Sequence, residues 1–400
     1  MAFVATFPAN AAPTWTAEQA EILKGWIERA EDEAIELPQT RAIQLRAAIY
    51  AGDPETLDTV ARDAALELMR AWRGQCCGDR RPRWWHIDGS MPDARLEEGL
   101  EQALFTNSLD PFLRSIRPSH PYYSALAEAY ARETEPVRRE VIAKNLARWR
   151  WLPAQLGERY LLVNIAAQKL SLWERGTMVL EWRVIIGKPV TRTPVFTTEV
   201  TGIVLNPWWE IPASIAAEGI ASFVRRSPSA ARARGYIYQN GRFRQMPGDN
   251  NALGRMKLVM PNPYSVFLHD TSNRELFSET RRAFSHGCIR VDRALEFASV
   301  LLNDEEWNIA AIEAQVATDK TKTVPLTAPV PLYVTYFTAE PASDGPTPGG
   351  NVRFFEDIYG RDGVSLPPDD EQLSTEVYGS QSPSGSVNLE AITGAASCLS

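Results

Sequence analysis

Ser285-His286-Gly287-Cys288-Ile289-Arg290 places a thiol, an imidazole and a glycine in one short run, and His269-Asp270 supplies a second imidazole upstream. Acyl transfer from an amide needs a nucleophile, a proton acceptor and donors for the oxyanion. Cys288 is the candidate nucleophile, because a neighbouring imidazole can generate the reactive thiolate. Gly287 lets the backbone approach a substrate closely and take positive φ. The N–H groups of Gly287 and Cys288 are therefore the expected oxyanion hole. Two histidines compete for the role of base. His286 is two residues from Cys288, so on a strand both would face the same side. His269 ends the apolar run Val266-Phe267-Leu268, where a strand tip can aim it at the thiol. The interval between His269 and Cys288 is long enough for a strand, a loop and a return. His269 is the expected base, and His286 the alternative base or a substrate-positioning residue.

Blander readings compete with this one. A cysteine by itself is most often a buried apolar filler. His269, His286 and Cys288 could also be three zinc ligands. A structural zinc needs a fourth ligand, and neither His86, His120 nor another cysteine stands nearby in the sequence. No metal and no cofactor is expected. The Arg290 guanidinium suits a substrate carboxylate or a structural ion pair. Ser285 suits a hydrogen bond inside the loop or contact with substrate. Asp270, Trp208 and Tyr264 complete the expected substrate-binding set, with Arg225 and Arg226 reaching it from a lid.

The elements that must carry these residues change character along the chain. The first part reads as helical. Thr16 and Gln19 form a capping-box pattern ahead of Ile22, Leu23, Trp26, Ile27, Ala30 and Ala34. Asp53-Pro54 reads as an N-cap followed by proline at the first helical position. Further helices are expected at about 94–104, 122–134 and 137–150, and 74–92 reads as a long loop. Strands are expected after Pro153: 160–165, 169–173 and 178–186 around a Glu174-Arg175-Gly176 turn, then 196–205, 257–260 and 265–269. Asp292 is expected to cap a helix whose positive end supports the thiolate. Residues 332–337 and 352–355 are expected to pair.

Between Pro212 and Asn251 six arginines face Glu218 and Asp249, an excess of +4 in a chain of net charge −8. This stretch reads either as a solvated insertion or as a mobile lid that draws in carboxylates. The acidic whole argues against nucleic acid as a partner, and no apolar run is long enough to span a bilayer. Cys76, Cys77, Cys288 and Cys398 are too few for a disulfide framework. Free thiols are the default expectation, with Cys398 available to Cys76 or Cys77 in an oxidising compartment. The expected organisation is a disordered start at 1–14, with or without the end of an export signal, and a helical scaffold at 15–153. A catalytic domain at 154–340 follows, with a lid at about 213–251. A strand segment at 341–362 and a disordered tail at 363–400 close the chain.

The motif resembles the signature of the L,D-transpeptidases: an upstream His, then Ser or Thr followed by His-Gly-Cys. The likeness extends to Asn145-Leu146-Ala147-Arg148-Trp149-Arg150, Gly187-Lys188, Thr193-Pro194-Val195-Phe196 and Asn206-Pro207-Trp208-Trp209-Glu210. It continues through Asn251-Ala252-Leu253-Gly254-Arg255 and Asp357-Ile358-Tyr359-Gly360-Arg361. Together these are similar to the large periplasmic Gram-negative branch over roughly residues 100–362. The resemblance implies an α+β fold: a β-rich YkuD-type catalytic domain with a lid, beside a helical scaffold. It implies peptidoglycan stem peptides as substrate, a thioester on Cys288, release of D-alanine and 3→3 crosslinks. A periplasmic location, other wall-synthesis proteins as partners and acylation by carbapenems come with it. The chain departs from that branch in lacking the small peptidoglycan-binding module before Asn145. A wall cysteine peptidase acting as an L,D-carboxypeptidase, or a non-catalytic wall-binding scaffold, are the alternatives.

Overall fold

The computed structural model describes residues 14–78, 80–342, 351–364 and 366. The expected disordered ends and Cys398 fall almost wholly outside them. The described residues form two units. One takes in residues up to 82, 87–156 and 339–354; the other takes in 83–86, 157–338 and 355 onward.

The first unit is built from α1 (Ala17–Glu28), α2 (Thr40–Ala51), α3 (Pro54–Trp72), α4 (Asp93–Phe105), α5 (Leu109–Ile116), α6 (Pro121–Arg132) and α7 (Pro136–Arg150). Thr16 and Gln19 make the reciprocal capping box ahead of α1. Asp53 caps α3 with Pro54 behind it. The apolar stripes of α1 and α3 meet through Trp26 and Trp72, edge to face with centroids 5.4 Å apart. Glu33 is buried among these helices and accepts from Trp72 Nε1, Arg117 Nε and Tyr123 OH at 3.0, 2.7 and 2.7 Å. Three donors satisfy the polar atoms of this buried side chain. Cys76 and Cys77 are joined to each other, which corrects the expectation of free thiols. Val352–Phe354 pairs with Ala339–Pro341, not with 332–337, whose backbone is already taken by the sheet of the other unit.

That sheet holds nine strands. They are β1 (Arg159–Asn164), β2 (Lys169–Glu174), β3 (Thr177–Gly187), β4 (Phe196–Leu205), β8 (Met256–Val259), β9 (Leu268–His269), β10 (Ala283–Ser285), β11 (Ile289–Val291) and β12 (Lys322–Thr335). Their order is β10-β3-β11-β9-β8-β4-β12-β1-β2, and β3 also pairs with β2, so the sheet closes on itself. The β2–β3 turn is the expected one: Arg175 and Gly176 both take positive φ, 48° and 77°, as a two-residue hairpin requires. The strand expected from 265 begins only at Leu268. Ser265 has φ 53°, and the Asn262 side chain binds the N–H groups of Tyr264 and Val266, holding a turn there.

Between β4 and β8 the chain leaves the sheet. It forms β5 (Trp209–Glu210), α8 (Ala213–Ile215), α9 (Ala221–Arg226), α10 (Pro228–Ala233), β6 (Tyr236–Gln239) and β7 (Arg242–Gln245). The strands pair as β5-β7-β6. Trp209, Ile211, Ile215, Ala216, Ala221 and Leu253 give this insertion, the candidate lid, a small core of its own. After β11 come α11 (Ala294–Leu302) and α12 (Ile309–Val316). Asp292 does not cap α11: its carboxylate is held by Arg183 and by Arg293 N–H. The helix starts at Ala294, beyond β11. The α+β expectation holds, with a helical unit and a β-rich unit that carries an insertion between β4 and β8. Among the described residues no helix is long and apolar enough to cross a membrane.

Candidate active site

Three neighbouring strands assemble the site. Lys257 on β8 stands opposite His269 on β9, and His269 is in register with Arg290 on β11. Residues opposite one another share a face, so Lys257, His269 and Arg290 form a row across the sheet. Met256, Leu258, Leu268 and Ile289 alternate with them and are completely buried on the other face. Cys288 immediately precedes β11. Its Sγ accepts from Phe267 N–H at 3.3 Å, and Ile289 N–H donates to Phe267 O at 3.0 Å. The sulfur therefore lies two residues back along the chain from His269.

His269 is buried. Its Nδ1 bonds the Asp270 carbonyl oxygen, which can only accept, so Nδ1 carries the proton. Burial lowers its pKa to about 3, helped by the charge of Arg290 and, less, of Lys257, against the carbonyls of Asp270 and Leu253. The imidazole is neutral at any ordinary pH. Arg290 is buried too, and burial lowers its pKa to about 10 against the opposing influence of Glu275. It remains a cation beside the imidazole.

His286 goes elsewhere. Gly287 has φ 122°, which ends the strand between His286 and Cys288, so the two side chains do not share one strand face as expected. The Nε2 of His286 lies 3.5 Å from Glu218 Oε2 in the lid. The glycine is required at that φ, but its N–H is spent on Ser285 Oγ at 3.0 Å. This corrects the assignment of the Gly287 N–H to the oxyanion hole: the loop uses it to hold itself. Ser285 Oγ in turn donates to Cys288 O at 2.5 Å.

Two residues missed in the sequence reading hold this loop. Thr193 Oγ1 donates to Gly287 O and accepts from Gly187 N–H, both at 2.9 Å. Tyr359 OH accepts from Thr193 N–H and donates to Gly187 O, at 3.1 and 2.7 Å. Lys188 N–H and Thr191 Oγ1 both donate to Ser285 O. A Cβ on Gly187 would sit 2.1 Å from Thr191 O, so only glycine fits. The Gly187-Lys188, Thr193-Pro194 and Asp357-Ile358-Tyr359 motifs thus converge on the Cys288 loop, and their agreement with a family pattern was the one available signal.

The remaining expected residues are placed unequally. Asp270 Oδ2 accepts from Arg255 N–H at 2.8 Å and from Arg274 at 3.0 Å, and its side chain lies against Gly254. It is buried and shapes that loop. Tyr264 packs at a tilt against His86 and Phe196. Trp208 carries the Arg244 guanidinium 4.4 Å above its ring. Arg225 and Arg226 are exposed at the end of α9. Lys257 was also missed, since a lone lysine in a short apolar strand gives no signal. Cys288 is buried.

Residues 158–324 match the family model of the L,D-transpeptidase catalytic domain, YkuD, and residues 8–129 match that of a scaffold domain. A putative L,D-transpeptidase of Haemophilus influenzae is 30% identical over 285 residues, 65% of this chain and 56% of that protein. An L,D-transpeptidase from Mycobacterium smegmatis aligns at 13% identity and a TM-score of 0.24, over 44% of this chain and 58% of that one. A mutant Enterococcus faecium L,D-transpeptidase aligns at 14% and 0.20, over 46% and 51%. At such scores the two solved structures add nothing to the assignment. The chain spans just over half the length of the relatives it matches.

Proposed function

From a chain that carries an L,D-transpeptidase catalytic domain of the YkuD type beside a scaffold domain, we infer a peptidoglycan L,D-transpeptidase that forms 3→3 crosslinks. The observation that carries the reading is the placement of Cys288 Sγ on Phe267 N–H, two residues from a buried neutral His269.

The chemistry requires the reduced thiol. Cys288 gives its proton to His269, and the sulfur attacks the carbonyl carbon of the third, L-centred residue of a tetrapeptide stem. The bond from that carbon to the D-alanine nitrogen breaks, the nitrogen takes the proton back from His269, and D-alanine leaves. A thioester remains on Cys288. The side-chain amine of the third residue of a neighbouring stem attacks it and loses a proton to His269, and the sulfur departs and recovers that proton. Arg290 and Lys257 disfavour an imidazolium beside them, so His269 works as a neutral acceptor and passes the proton on at once. The thioester conserves the energy of the broken amide. No nucleotide is then needed, which suits a periplasmic enzyme. The same thiol would be acylated by carbapenems.

Intact-mass spectrometry of the reduced protein with a disaccharide tetrapeptide tests this. The expected result is a mass gain equal to the stem without its D-alanine, lost in Cys288→Ala. Adding an acceptor stem should convert the adduct into a dimer. Release of free tripeptide acid alone would make the protein an L,D-carboxypeptidase. Failure of reduced Cys288 to react with a carbapenem or iodoacetamide would leave a wall-binding scaffold.

A further inference from the structure

Lys257 has no part in the proton transfers above, yet it stands in the row that contains the base. Its ammonium lies 4.8 Å from the centre of the Phe267 ring, and the backbone of Phe267 holds the Cys288 sulfur. The side chain is partly withdrawn from water. That burial pulls its pKa below the usual lysine range, with Glu210 pulling the other way. Among the described residues its Nζ has no ion-pair partner and no hydrogen-bond acceptor. Glu210 is engaged by Arg244 at 2.6 Å. Glu218 faces His286, and Glu275 is the acidic neighbour of Arg290. Glu210, the carboxylate that acts on Lys257, is thus already paired with another cation. A half-buried ammonium without a counter-ion is costly, and an anionic ligand offsets that cost.

We propose that Lys257 docks a carboxylate of the donor peptide beside the scissile amide and makes the site selective for substrates that carry it. This rests on the transpeptidase reading for the identity of the donor. Two sources of that carboxylate fit: the free terminus of the departing residue, and a carboxylate on the side chain of the third residue.

The test uses the full chain, reduced, as wild type, Lys257→Met and Lys257→Arg. Each is assayed for acylation by the free tetrapeptide, its C-terminal amide and its third-residue side-chain amide. For wild type, one of the two amides should lose about tenfold or more in kcat/KM, mostly through KM, and that amide names the source. Lys257→Met should lose as much on the free peptide and no longer distinguish it from the amide, and Lys257→Arg should recover part of the discrimination. Equal losses by Lys257→Met on all three donors, or none, would overturn the proposal. Binding of the same peptides to Cys288→Ala, with and without Lys257→Met, separates docking from chemistry. Carboxylate-dependent binding without turnover in wild type would keep the docking site and sink the transpeptidase reading. Turnover together with binding indifferent to Lys257 would do the reverse, and absence of peptide binding would sink the docking site.

Discussion

His269 and Cys288 were readable as a pair from residue type and motif, and the structure adds the electrical setting. A free imidazole titrates near 6.5, whereas burial and two neighbouring cations bring His269 to about 3. As the proposed base, His269 would act in its neutral form. Protonation therefore removes it only as pH falls towards 3, and acylation should persist at pH 5, where an ordinary histidine would already be mostly charged. The pH profile of single-turnover acylation checks this; an acid limb centred near 6.5 would contradict it. Because the proposed chemistry needs a free thiol at Cys288, turnover should also depend on reducing conditions and be lost when that thiol is blocked. Thiol labelling in parallel with activity measures both. What residue type could not disclose was the fate of the Gly287 N–H or the isolation of the Lys257 ammonium. Both depend on which groups the fold brings within about 3–5 Å.

At the scale of elements, the turn that bears Cys288 is held from outside itself. Thr193 links Gly187 to Gly287, and Tyr359 closes over both. Thr193→Val keeps the shape and removes a donor and an acceptor. It should cost about 1–3 kcal/mol of stability and lower kcat at least tenfold with KM little changed, as thermal melts and steady-state kinetics would show. In the helical unit His120 caps α6 through Nδ1 and stacks on Trp149 with ring centroids 4.1 Å apart. Burial lowers its pKa to about 3. The unfolded chain binds a proton near 6.5 that the folded unit refuses. His120 thus contributes stability that is present above about 6.5 and lost as pH falls towards 3, at up to about 1.4 kcal/mol per pH unit. His120→Asn keeps the cap without the titration, so its denaturation midpoint should fall less steeply between pH 6.5 and 4. The caps at Thr16 and Asp53-Pro54 and the Arg175-Gly176 turn were legible because each is local, whereas the expected Asp292 cap failed because Arg183 takes its carboxylate. The β9 start was not, since Asn262 redirects the backbone by binding it.

For the whole molecule, charge is distributed unevenly. The lid carries an excess of +4 in a chain of −8, and its exposed Arg225 and Arg226 face water. If the lid gathers anionic stems, Arg225→Gln together with Arg226→Gln should raise KM severalfold at low salt. The difference should shrink as ionic strength shortens the screening length to about 10 Å and below. A KM independent of salt in both proteins would remove the steering role.

The two textures of the chain, its alternating strands and the thiol–imidazole motif were determined by sequence alone, because periodicity and local spacing express themselves without distant partners. Which histidine stands in the row, which amide is already spent, and that Lys257 and Arg290 flank the base were decided only by closure of the sheet. Strand register sets those neighbours across long separations, and shifting a strand by one residue would turn each side chain to the opposite face.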